Sequence, residues 1–409
     1  MIFRILLDIG IFGLCTSTIS AVLAVIGLAR FLADGRRVRS RNAEGASTTP
    51  AGPAPPVSLL KPLDGEEPNL DAHLASFFDQ DYPHFEILFC ARSASDPGLA
   101  VARRVAARYP HIPTRFLSTG DQTYINAKVS SLELMHAAAQ HEIFIISDSD
   151  VRVARNYVHE VAAPFADQKV GAVTCLYRGV AERGLWAKLE AAGMSVEMTT
   201  GVLTANLLEG MKFALGPTMA VRRSCVEAMG GFGVLGPYCS DDFLLGEKVA
   251  SQGQTVVLSH HVIDHVILNL SWTASLRHQT RWMKSTRFSR PLGHLGTALT
   301  FSLPFGILAS LAAFAQHRPA LALVALAWSI LNRALLAALV GAFAVEESHL
   351  LRTIFLYPLR DLLGFGCWAA SYAGSTILWR GRTYRLSRGG RMHPVDTTGA
   401  DEREHALTT

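Results

Sequence analysis

Two carboxylates one residue apart, Asp148 and Asp150, end the apolar run at residues 143–147 (IFIIS). A run of Ile and Phe reads as a buried strand. The acids then fall at its C-terminal edge, where open α/β sheets bind ligands. Acids this close repel each other unless a cation lies between them. Mg²⁺ and Mn²⁺ take oxygen ligands, and Mg²⁺ commonly shares them with substrate phosphates. The chemistry open to the pair is therefore a metal clamp on a diphosphate. Alone, a DSD triplet reads better as a solvated turn capping the next helix. The residues that accompany it reverse that reading.

Four further groups carry chemistry. Lys61, Pro62 and Leu63 follow the apolar run at 57–60, and their loop could hold a nucleotide base and ribose. In CARSASDP (90–97), Asp96 and the serines could meet a uracil edge or a ribose hydroxyl. Asp96 before Pro97 is also an N-cap signature, and both readings stay open. Lys128, in the NAK triplet at 126–128, could reach a diphosphate or simply be a solvated helix lysine. In GGFG (230–233) followed by CSDDF (239–243), glycines let the backbone approach a sugar closely. One acid of the pair Asp241 and Asp242 suits a helix cap, and the other could be a general base.

The last group is RHQTRW (277–282) on a basic helix with Lys284, Arg287 and Arg290. Arg281 could stabilise a departing diphosphate, and Trp282 could wall an acceptor site. A basic-aromatic helix lying at lipid headgroups is the simpler reading in isolation. No GxGxxG or GxxxxGK[ST] occurs, so neither a Rossmann dinucleotide site nor a P-loop is supported.

These residues need elements to position them. The 409-residue chain is 49% hydrophobic and only 18% charged, with mean hydropathy +0.23. That balance describes a membrane protein with a soluble part. Net charge is only +4. The basic residues adjoin apolar segments, which suits a lipid bilayer better than nucleic acid, and no nucleic-acid partner is expected. Six scattered cysteines without a CxxC pair read as reduced.

Residues 9–29 are uncharged and long enough to cross a hydrocarbon core of ~30 Å, forming a signal anchor within residues 1–41. Arg30, Arg36, Arg37, Arg39 and Arg41 follow, placing that end in the cytoplasm by the positive-inside rule. Residues 42–56 read as a Pro/Ala/Gly linker. Residues 57–270 alternate apolar runs with helical patterns, the signature of a parallel sheet. Strands are expected at 57–60, 85–90, 115–117, 143–146 and 171–175, with a helix over 97–109. Residues 271–292 form the basic interfacial helix. Residues 293–380 carry three apolar segments (295–315, 320–345 and 362–379), and 381–409 is a polar tail. The tail, with Arg380 before it, is rich in Arg. Three full crossings would put it outside, so one segment is expected to be re-entrant or interfacial.

Together these residues resemble the inverting glycosyltransferases of the ceramide glucosyltransferase type, a branch of the GT-A enzymes that includes cellulose and hyaluronan synthases. The likeness runs over residues 57–290. Asp148 and Asp150 match the DxD site, Asp242 the catalytic base, and Arg281 with Trp282 the end of the (Q/R)xxRW motif. KPL (61–63), QDYP (80–83) and VTCLYRG (173–179) match this branch too, the last being similar to bacterial hopanoid-associated members. There are two departures. His278 stands three before Arg281, where Gln or Arg is usual, and Ser93 stands where relatives carry their first Asp.

The resemblance implies an α/β GT-A nucleotide-diphospho-sugar transferase fold with transmembrane helices. It implies a membrane-bound inverting hexosyltransferase moving glucose or N-acetylglucosamine from a UDP-sugar to a hydroxyl of a membrane lipid, of ceramide or hopanoid type. The metal, Mg²⁺ or Mn²⁺, would lie on Asp148 and Asp150. Donor contacts would come from Lys61, Asp96, Lys128, Asp148 and Asp241, and catalysis from Asp242, Arg281 and Trp282. The expected location is multi-pass in the inner membrane with the catalytic domain cytoplasmic, and no obligate protein partner. The rivals are a processive polysaccharide synthase, which usually needs more membrane helices, and a non-catalytic lipid transporter or scaffold.

Overall fold

Alternation along the apolar runs decides how the sheet is built. In this computed structural model, Val57, Leu59, Ile87, Phe89, Ile143 and Ile145 enter one core cluster. Leu60, Leu88, Cys90, Phe144 and Ile146 enter another on the opposite face. Successive side chains of a strand point to opposite faces, so strands buried on both sides show no polar alternation. The structure describes residues 1–45, 54–268, 271–379 and 381–395. The side chains of Arg39 and Arg41, most of the linker expected at 42–56, Arg380 and the tail beyond 395 lie outside the described residues.

Among the described residues the main sheet has eight strands. They are β1 (Val57–Pro62), β2 (Phe85–Ala91), β3 (Thr114–Ser118), β4 (Ile143–Ile146), β5 (Val151–Arg152), β6 (Val170–Ala181), β7 (Met219–Arg222) and β8 (Thr255–Ile267). Their order is β3-β2-β1-β4-β7-β6-β8-β5. The first four are parallel, β7 is antiparallel to both neighbours, and β5 is antiparallel to β8. The chain leaves β1 in one direction for β2 and β3, then returns to β1's other side as β4. This reversal opens a crevice at the C-terminal ends of β1 and β4. Lys61 stands at the end of β1, and Asp148 and Asp150 follow β4. The five strands read from sequence are present, with β6 longer than expected; β5, β7 and β8 were not read.

The apolar segments form helices beside the eight-stranded sheet. Helix Ile2–Gly45 starts at the N-terminus and runs into the segment read as linker. Among the described residues, two stretches, Ile2–Arg37 and Pro319–Phe343, are long and apolar enough to cross a membrane, and the pair Pro291–Thr300 and Leu303–Ala315, bent by 50°, makes a third if counted as one span. The third C-terminal segment differs from expectation. Its helix starts earlier and stops earlier, at Leu350–Ala370, with Arg352, Arg360, Asp361 and Pro358 inside it. The remainder, expected as helix, is strand β9 (Thr376–Trp379). It joins β10 (Arg382–Ser387) and β11 (Arg391–Pro394) in an antiparallel sheet of order β11-β10-β9. The apolar letters TILW look the same to a hydropathy window whether they continue a span or fill one small sheet.

The small sheet is attached to the part of the chain that carries the eight-stranded sheet. Ile377, Tyr384, Leu386 and Met392 form its core, with Ile125, Cys239, Phe288 and Trp379 packed against it. The Cys239 amide donates to the Gly390 carbonyl (3.0 Å) and the Met392 amide to that of Pro237 (2.8 Å).

Candidate active site

The site is assembled from strand ends and helix starts. Lys61 closes β1 with its side chain wholly inside the protein, at 0% exposure. Its ammonium donates to the Asp148 carbonyl at 2.5 Å and lies 3.6 Å from the Phe77 ring centre. Burial brings it down to about 7, against the pull of Asp148 and Asp150. Lys61 thus braces the acid loop from beneath, whereas the sequence placed it against the donor. Asp148 and Asp150 keep 33% and 31% of their side chains exposed, so a ligand can reach them where it cannot reach Lys61.

Lys128 faces the acids from the first turn of helix Ala127–Ala138. Its ammonium lies 2.7 Å from Asp148 Oδ1 and 3.7 Å from Asp241 Oδ2. Burial pulls this lysine down, but Asp148, Asp241 and Asp242 together raise it above its ordinary value. Asn126 caps that helix by accepting from the Lys128 amide (3.0 Å). It also donates to Asp241 Oδ1 (3.2 Å) and to the Tyr238 carbonyl (3.1 Å).

Asp241 and Asp242 open helix Asp241–Ser251, where its dipole favours acids. Asp242 accepts from the Gly216 amide through Oδ2 (2.9 Å) and from the Phe243 amide through Oδ1 (2.7 Å). Removal from water, then the neighbouring Asp241, push Asp242 up to about 6. A side chain at Gly216 would place its Cβ 3.1 Å from Asp242 Oδ2 and 3.7 Å from Asp148 Oδ2. The two carboxylates therefore face the same small space, which glycine keeps open. A carboxylate poised near neutrality beside such a space has the pKa wanted of a general base.

Asp150 has a partner the sequence did not reveal. His265 on β8 lies opposite Val151 in the ladder, and its Nε2 is 3.0 Å from Asp150 Oδ2. Burial disfavours charge on both groups. The contact nevertheless raises His265 and lowers Asp150 to about 2. The other oxygen, Asp150 Oδ1, is buried without a hydrogen-bond partner among the described residues, as is Asp241 Oδ2. No group of three or more His, Cys, Asp or Glu is arranged among the described residues to hold an ion alone. Two carboxylates with one orphaned, pre-oriented oxygen fit a metal that draws its remaining ligands from substrate phosphates and water.

The other expected residues lie further out. Asp96 caps helix Pro97–Ala106, accepting from the Gly98 amide (2.8 Å), and also binds the Gly65 amide (3.1 Å). Of the two readings left open for it, this is the cap. Arg281 and Trp282 sit on helix Trp272–Ser289. The Arg281 guanidinium is 5.8 Å from the Trp379 ring centre. Trp282 packs on the main core and its ring meets His278 at 4.3 Å. His278 Nδ1 is 2.6 Å from Glu190 Oε1, anchoring this departure from the usual motif to the catalytic domain.

The structure thus brings Lys61, Lys128, Asp148, Asp150, Asp241 and Asp242 into one network, with Arg281 beside the small sheet and Asp96 outside. His265, Asn126 and Gly216 escaped the sequence reading. The asparagine before Lys128 was the one local signal available, as a helix N-cap.

A family model described as glycosyl transferase family 21 matches residues 17–392. Ceramide glucosyltransferase 1 of Caenorhabditis elegans is 23% identical over 351 residues, covering 83% of this chain and 73% of that protein. The ceramide glucosyltransferase of Komagataella phaffii is 39% identical over 109 residues, covering 25% of this chain and 21% of that protein. Among solved structures, a mannosyltransferase of Pyrobaculum calidifontis in complex with GDP-Man and Mn²⁺ is 17% identical. It has a TM-score of 0.44 and covers 86% of this chain and 98% of that one.

Proposed function

The chain belongs to glycosyl transferase family 21, and from that premise we propose that this membrane hexosyltransferase moves a sugar from a UDP-sugar to a hydroxyl of a membrane lipid. The donor is glucose or N-acetylglucosamine on UDP, and the acceptor is of ceramide or hopanoid type. The observation that carries the reading is Asp242, its carboxylate held by two backbone amides and raised to about 6 opposite Asp148.

Each group then has a task. Asp242 takes the proton from the acceptor hydroxyl. That oxygen attacks the anomeric carbon from the face opposite the diphosphate. The bond from the anomeric carbon to the phosphate oxygen breaks, UDP leaves with the electron pair, and the configuration inverts. Lys128 holds negative charge at the diphosphate end, and Asp241 with Asn126 keeps Lys128 in place. Arg281 adds positive charge on the leaving-group side. Asp148 and Asp150 would hold Mg²⁺ or Mn²⁺, which when bound offsets charge on the departing diphosphate. His265 and Lys61 keep those two acids oriented.

The arrangement of the membrane helices follows the same reading. Hydrogen bonds between residues 237–239 and the small sheet support an even number of crossings between residues 290 and 376. Pro291–Thr300 with Leu303–Ala315, taken as one bent span, would pass out and Pro319–Phe343 back, with Leu350–Ala370 lying along the interface. Arg30, Arg36 and Arg37 favour the cytoplasm for the catalytic side of an inner membrane. The acceptor hydroxyl then meets a water-soluble donor without leaving the bilayer.

The test is mass spectrometry of membrane lipids with and without the gene, beside an Asp242→Asn strain. One lipid gaining a hexose or N-acetylhexosamine only with the unaltered gene supports the reading. A polymer product, or an unchanged lipid profile, overturns it.

A further inference from the structure

The small C-terminal sheet does more than close the chain. A cleft of about 210 Å³ lies where it meets the catalytic domain. One wall comes from the C-terminal ends of the parallel strands: Leu63 and Asp64 after β1, Arg92 after β2, Thr119 after β3. Ala127, next to the Lys128 that faces Asp148, continues this wall toward the acids. The opposite wall is Trp379, Arg382 and Tyr384 of the small sheet. Arg382 and Tyr384 are two apart on β10 and so share a face.

We propose that β9 and β10 form the outer half of the donor nucleotide site, with Trp379, Arg382 and Tyr384 recognising the nucleoside diphosphate. This rests on the UDP-sugar reading above and extends it to residues that reading does not use. Two aromatic rings and a guanidinium facing Arg92 and Asp64 suit a flat base with an anionic tail. Rings offer stacking surface to the base, and Arg pairs with phosphate through fixed donors. Ala127 in the cleft wall adjoins Lys128, whose ammonium is 2.7 Å from Asp148 Oδ1, so a nucleotide with its base here would send its diphosphate to the acids.

The sheet is placed for this by contacts on two further sides. Main-chain bonds tie it to residues 237–239, directly before Asp241 and Asp242. Gly390, at φ +78°, lies so close to helix Trp272–Ser289 that a Cβ there would come within 2.4 Å of Ser289 Oγ. Trp379 lies against Arg281 of the same helix. Arg281 in turn lines a second, basic cleft of about 290 Å³ with Arg277 and Lys284. Trp379 therefore stands between the base cleft and the guanidinium proposed to assist the leaving group.

The experiment measures UDP affinity and steady-state kinetics on the full-length protein in detergent. Three variants are compared with the unaltered chain: Trp379→Ala, Arg382→Ala and Arg385→Ala. Arg382 is exposed, so its loss leaves the sheet's core intact. Arg385 is on the same strand but outside the cleft. Trp379→Ala and Arg382→Ala should each weaken UDP binding and raise donor KM about tenfold, the scale of one stacked or charge-assisted contact. Acceptor KM should stay unchanged, and Arg385→Ala should behave like the parent. If the parent binds UDP and Arg382→Ala binds it equally well, the sheet is not part of the donor site. If the parent binds no UDP, the donor reading itself falls.

Discussion

Two regions of this molecule bury charge, and they treat it differently. Between the apolar helices, Arg333 meets Asp361 at 3.2 Å and Arg360 meets Glu197 at 2.9 Å. Asp361 also accepts from the Ser302 and Leu303 amides at 2.9 and 2.8 Å. There each acid has its own base. In the cleft, Asp148, Asp150, Asp241 and Asp242 share Lys61, Lys128 and His265, and Asp242 is pushed up to about 6 by removal from water and by Asp241. The helix cluster balances its charge internally, as a structural site in or near a membrane must. The cleft sets four acids against three basic side chains, and Asp148 and Asp150 keep 33% and 31% of their side chains exposed, as a site that takes up a cation and a ligand would.

The difference can be broken most severely at Asp242. Asp242→Asn should reduce transfer by about 10³-fold, within the range for loss of a general base, while UDP binding survives. Full transfer in this variant, measured with radiolabelled donor, would sink the assignment. In the balanced cluster the corresponding effect is on stability. Arg333→Met alone leaves Asp361 uncompensated and should cost about 3–5 kcal/mol, seen as a lower unfolding temperature in detergent. Adding Asp361→Asn, which keeps an acceptor for the Ser302 and Leu303 amides, should recover most of that loss. Equal stability of parent and single variant would show that the pair is not needed.

His265→Ala should act on function with less effect on folding, since Asp150 is partly exposed and can be solvated. A loss of about 10–100-fold in metal affinity is expected, the usual size for the partner of a ligating carboxylate. A metal titration that superimposes on the parent's would remove His265 from the site. The mildest effect is on pH. A general base must be ionised, and its raised pKa puts its protonation at about pH 6. Donor kcat/KM should therefore fall about tenfold per pH unit below that point and level off above it. A limb near pH 4 instead would mean that Asp242 is not buried as described.

Much of this was legible in the chain. Strands β1 to β4 announced themselves as short apolar runs, and the acids Asp148, Asp150 and Asp242 stood at their ends or at a helix start. Sequence could not place His265, which reaches Asp150 across 115 residues through the β5–β8 pairing. It also reversed the role of Lys61, because the direction of a side chain depends on Phe77 and the loop beneath it. Gly216 gave no sign, since its importance lies in the two carboxylates that face it. The largest miss was at 376–394, where TILW reads as the end of a membrane helix. Whether such residues continue a helix is decided by the turn after Ala370 and by packing on Ile125, Cys239 and Phe288.

The charge deficit in the cleft is tested most directly by titrating UDP into the full-length protein with Mn²⁺ and with EDTA. The same pair of titrations is run on Asp148→Asn/Asp150→Asn. The parent should bind UDP at least about tenfold more tightly with metal, one missing charge-assisted contact being worth that much, and the double variant should lose that gain. Equal UDP binding with and without metal in the parent would contradict the metal-diphosphate site.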